Sequence, residues 1–85
     1  MEEALGLLEV RGWAAAIVAA DAAVKAAGIR IAGTELTKGG GQVVIKLAGE
    51  VAAVRAAIEA GAVAAAEVSK VIASHLIPKP AKGVR

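Results

Sequence analysis

Three consecutive glycines, Gly39-Gly40-Gly41, stand between two runs of strand character, Ile29–Leu36 and Val43–Leu47. Glycine has no Cβ and takes φ > 0 freely, so the backbone here can reverse or approach another backbone where other residues would clash. The stretch Thr37–Gln42 is therefore predicted to form the tip of a β-hairpin. Most of the remaining chain frames that tip.

Before the hairpin, Ala4–Val10 reads as a short apolar strand that Gly12 breaks, and Trp13–Ala27 as a helix with Gly28 in the position of a C-terminal cap. Asp21 and Lys25 are the only charges inside that helix, four residues apart and able to pair. In the second strand, Ile29 and Ile31 are expected on one face and Arg30 and Thr34 on the other. After the tip, Val43, Ile45 and Leu47 are expected to point one way, and Val44 and Lys46 the other.

Glu50–Glu67 reads as a second helix, with Val51, Val54, Ile58 and Val63 as its larger apolar groups and an Arg55–Glu59 pair. Gly61 in its middle is expected to permit close packing. Val71–Ile77 is the last strand, stopped by Pro78 and Pro80. Strand, helix, strand, hairpin, strand, helix, strand is the order of a ferredoxin-like (βαββαβ) α+β fold. Such a fold is a four-stranded antiparallel sheet with both helices on one face. Residues 1–80 are expected to form one domain and residues 81–85 a short basic tail.

Composition bears on assembly. The chain has 85 residues, of which 58% are apolar, and Trp13 is its sole aromatic residue. Much of the excess is alanine, whose small side chains build a thin core. A domain of this length already buries only about 60–65% of its unfolded surface. The first helix carries more apolar surface than one sheet face needs, and such a surplus marks contact with another subunit.

Several chemistries are poorly supplied. With no cysteine and one histidine, His75, neither a thiolate cluster nor a zinc site is expected, and no other cofactor is indicated. Ser74 and His75 are adjacent in a strand and point to opposite faces, which breaks any nucleophile–base pairing, so no catalytic residue is assigned. In Lys38-Gly39-Gly40-Gly41 the lysine precedes the glycines and the loop joins two strands, which departs from a phosphate-binding P-loop. Successive glycine amides can still form a small anion-attracting concavity, with Lys38 adding positive charge beside it.

A net charge of +2, scattered along the chain, does not suggest nucleic acid, and the strands lack aromatics to stack bases. No apolar run approaches the ~20 residues that span a bilayer, so no membrane partner is expected. The acidic opening Met1-Glu2-Glu3 argues against a signal peptide.

Four runs, in this order and spacing, resemble bacterial microcompartment shell proteins of the single-domain, hexamer-forming class. They are Glu3-Ala-Leu-Gly-Leu-Leu-Glu-Val-Arg-Gly12, Ala19-Ala-Asp-Ala-Ala-Val-Lys-Ala-Ala27, Gly49-Glu-Val-Ala-Ala-Val-Arg-Ala-Ala57 with Ala60-Gly61, and Ser74-His-Leu-Ile-Pro-Lys-Pro80. The resemblance implies a cyclic homo-hexamer with a central pore, tiling edge to edge with neighbouring shell hexamers and other shell proteins. It also implies a location in the cytoplasm, in a shell around encapsulated enzymes.

By the same resemblance, the hairpin Lys38, Gly39, Gly40 and Gly41 lines a pore that passes small metabolites, and Lys25 and Lys79 lie at the hexamer–hexamer edge. The glycine amides and the Lys38 charge would favour small polar or anionic metabolites there. The family usually carries arginine where Lys79 stands. From the residues alone, an oligomeric ferredoxin-like domain that binds a regulatory small molecule is the alternative.

Overall fold

The structure, a computed structural model, describes residues 3–37 and 39–78. Its elements are β1 (Ala4–Arg11), α1 (Trp13–Ala26), β2 (Arg30–Leu36), β3 (Gln42–Gly49), α2 (Val51–Val68) and β4 (Val71–Ile77). The four strands form one antiparallel sheet in the order β2-β3-β1-β4. Both helices pack on one face of it and against each other, so the ferredoxin-like arrangement stands as expected.

Period-two patterning explains the layers. Ala4, Gly6, Leu8 and Val10 of β1 are buried beneath the helices, while Leu5, Leu7 and Glu9 are half-buried on the open face. Val43, Ile45 and Leu47 of β3 are buried in the same way. These strand residues and Val54 of α2 supply the largest fully buried side chains, each worth about 1.5–3 kcal/mol of transfer free energy.

Everything α1 buries is alanine: Ala15, Ala16, Ala19 and Ala23. Small residues let the two helices approach closely, and at Gly61 there is no room for a side chain. A Cβ there would lie 3.0 Å from Leu8 Cδ2 and 3.1 Å from the Ala19 carbonyl oxygen. The result is a slab with principal extents of 38 × 28 × 15 Å.

Three local expectations need correction. Helix α1 ends at Ala26, and Ala27 is extended at φ −156°, so Gly28 is not a left-handed cap. The second concerns β2, where the pairing register shifts between Ile31 and Gly33. Arg30 pairs with Ala48 on the open face, but beyond the shift Thr34 pairs with buried Ile45 on the helix side. Arg30 and Thr34 therefore do not share a face, because one extra residue in a strand inverts everything after it. Third, Arg55 and Glu59 form no ion pair, although Asp21 and Lys25 do, at 3.0 Å.

Candidate functional site

The hairpin tip is closed by Thr37 and Gln42. The Thr37 amide donates to the Gln42 carbonyl oxygen at 3.0 Å, and its hydroxyl donates to the Gln42 side-chain oxygen at 3.3 Å. Between them Gly39, Gly40 and Gly41 have φ of +65°, +107° and +71°. All three occupy the left-handed region that side chains disfavour, which is the physical reason for three glycines in a row. A Cβ on Gly39 or Gly41 would meet nothing within 4 Å, so space does not exclude a side chain at either position and φ does. Lys38, expected beside them, lies outside the described residues.

A second glycine couples the tip to the body. Gly12, at φ +89°, donates its amide hydrogen to the Gly41 carbonyl oxygen at 2.9 Å. The same residue is the N-cap of α1, whose first turn holds no acid and whose N-terminus receives no side-chain cap. The start of the helix thus sits against the tip with its positive dipole end unneutralised.

From there α1 runs for 14 residues, about 21 Å at 1.5 Å per residue, and carries Lys25 in its last turn. Gly39–Gly41 and Lys25 are therefore held at opposite ends of one rigid element. The ammonium of Lys25 bridges Asp21, and both side chains remain exposed. Lys79, the other expected edge residue, lies outside the described residues.

The expected surplus of apolar surface is present. On α1, Trp13, Ile17 and Val24 are 51%, 66% and 42% exposed. At 100° per residue the three fall within an arc of about 40°, so they form one stripe. Val51 and Val63, expected as apolar groups of α2, are exposed too, as are Leu36, Ile72 and Ile77 on the edge strands. Two concavities lie on the α2 side. One, of about 560 Å³, runs along the outer face of α2 over Ala56, Ala60, Val63 and Ala64 between Glu59 and Glu67. The other, of about 290 Å³, separates α2 from β4 and is bordered by Arg55, Glu59, Ser74 and His75.

Ser74 pairs in register with Leu8 and His75 with Leu7, so they face opposite sides of the sheet. No group of three or more His, Asp or Glu residues among the described residues is placed to hold a metal ion. No helix of the described residues is long and apolar enough to cross a membrane.

Sequence and structure comparisons give one family. The BMC domain model matches residues 4–80. The chain is 49% identical over 79 residues to the bacterial microcompartment shell protein PduA of Citrobacter freundii, covering 93% of this chain and 84% of that one. It is 45% identical over 78 residues to the bacterial microcompartment shell protein EutM of Salmonella typhimurium, covering 92% and 80%. Among solved structures, a microcompartments protein from Desulfitobacterium hafniense superposes with a TM-score of 0.81 at 33% identity. That match covers 92% of this chain and 42% of the other, so this chain spans less than half of that protein's length.

Proposed function

The chain belongs to the BMC domain family of bacterial microcompartment shell proteins, and from that premise we propose a cyclic homo-hexamer whose glycine tips converge on a central pore. The protein is a structural shell subunit rather than an enzyme, and it assembles with other shell proteins. Its place is the shell of a microcompartment in the bacterial cytoplasm. Residues 1–80 form the shell domain and residues 81–85 a short basic tail. Hexamers meet edge to edge through Lys25 and Lys79, and the completed shell encloses enzymes. Lys38, Gly39, Gly40 and Gly41 line the pore and favour small polar or anionic metabolites.

The observation that carries this proposal is the end-to-end arrangement along α1. If the tip lies on the axis, the Gly12–Gly41 hydrogen bond fixes the helix start near the axis. The helix then projects Lys25 outward by about 18 Å, toward a neighbouring ring. The apolar stripe of Trp13, Ile17 and Val24 supports burial against adjoining subunits, since a lone domain would leave it in water.

Native mass spectrometry and negative-stain microscopy test the assembly. Six-fold rings that extend into sheets at higher concentration are expected. Dimers or trimers that tighten on adding a metabolite would overturn it in favour of a regulatory domain.

A further inference from the structure

Two more cations are held at the tip end of the subunit. Arg11 is the last residue of β1, and its amide donates to the carbonyl oxygen of Lys70 at 2.9 Å. Arg11 is also the register partner of Gln42, which closes the hairpin, and its neighbour Gly12 is bonded to Gly41. The ends of β1 and β3 and the α2–β4 connection therefore bring Arg11, Lys70 and the glycines into one cluster. Both side chains belong to exposed residues, and neither makes an ion pair among the described residues. The acids nearest in the chain, Glu9 and Glu67, make none either.

We propose that Arg11 and Lys70 form a second basic ring around the pore mouth, outside the glycine tip, which collects small multivalent anions bearing phosphate or carboxylate groups. The proposal rests on the convergence of the tips on a common axis. Each subunit then adds two positive charges beyond Lys38. The guanidinium of Arg11 presents a planar fork of donors suited to two oxygens of one anion, and Lys70 supplies a mobile point charge. Cations of one sign repeated around a narrow opening raise the local anion concentration by roughly 10-fold or more at low salt. The effect fades once the Debye length shrinks to a few ångströms. Monovalent and neutral solutes gain least, so the ring discriminates by charge before a solute reaches the glycines.

The test uses the full chain as wild type, Arg11→Gln, Lys70→Gln and the double variant, with native mass spectrometry confirming the same ring in each. Binding of inorganic pyrophosphate is measured by calorimetry at low salt and again at about 0.5 M salt, with choline as the cationic control. The double variant is expected to bind pyrophosphate about tenfold more weakly at low salt, and the difference should collapse at high salt. In the wild type, pyrophosphate should shift the NMR amide resonances of Arg11, Gly12, Gly41 and Lys70. Equal pyrophosphate affinity in intact rings of the wild type and the double variant would overturn the proposal. Absence of rings in the wild type would instead refute the common axis and take the basic ring with it.

Discussion

Gly12 donates its amide hydrogen to the carbonyl oxygen of Gly41 across 2.9 Å, joining the start of α1 to the glycine tip nearly thirty residues later in the chain. Neither glycine is replaceable at its φ without strain, because both are in the left-handed region.

That relationship yields a paired prediction. A Cβ on Gly12 or on Gly28 would meet nothing within 4 Å, but only Gly12 has positive φ. Gly12→Ala is expected to cost about 1–2 kcal/mol from backbone strain alone. Gly28→Ala should be neutral or stabilising by up to about 1 kcal/mol, through loss of unfolded-state entropy. Chemical denaturation of both variants checks this, and equal losses would show that φ is not the deciding variable.

Gly61 tests the helix contact. Alanine there gains up to about 1 kcal/mol of helix propensity. Its methyl group would, however, stand 3.1 Å from the Ala19 carbonyl oxygen, a backbone atom that cannot turn aside. Overpacking should win, with a net loss of about 1–3 kcal/mol. That corresponds to a fall in Tm of about 4–8 °C per kcal/mol in a domain this small. A rise in Tm would mean that α1 and α2 separate easily.

At the proposed outer edge, Lys25→Ala removes an ion pair whose two side chains are 74% and 60% exposed. Such a surface i,i+4 pair contributes only a few tenths of a kcal/mol, so the fold and the ring should persist. Sheets of rings should weaken or disappear under the microscope. Loss of the rings themselves would place Lys25 inside the hexamer. Lys79→Arg acts in the opposite sense: a planar multi-donor fork should lower the protein concentration at which sheets form.

At the tip, size and charge separate. Gly40 has φ +107°, so a large residue there is strained and is expected to disturb the hairpin as well as narrow the pore. Gly39→Asn, at φ +65°, falls where asparagine is tolerated and should narrow the opening with little loss of stability. Lys38→Glu should reverse the preference for anions over cations while leaving assembly intact. Permeation of a dye pair of opposite charge into sealed shells measures all three. Unchanged selectivity with glutamate at position 38 would remove Lys38 from the pore's electrostatics.

Sequence alone determined the elements, their order and the family. Strands and helices imprint their own periods on nearby residues, and Val43, Ile45 and Leu47 are buried as their alternation required. The glycine triplet was equally legible as a hairpin tip, because glycine takes positive φ without a Cβ clash and strand-like runs flank it on both sides. Tertiary structure alone decided what depends on distant partners. The register shift in β2 arises from pairing with β3 and turns Thr34 toward the helices, against the strand's own alternation. Arg55 and Glu59 have the spacing of a pair and do not make one, whereas Asp21 and Lys25 do. Helical spacing sets only which side chains are within reach, and rotamers decide whether they meet. The clustering of Arg11 and Lys70 beside Gly41 had no sequence signal at all. Residues far apart in the chain meet there only because β1, β3 and the α2–β4 connection end at one place, and separation along a chain does not encode separation in space.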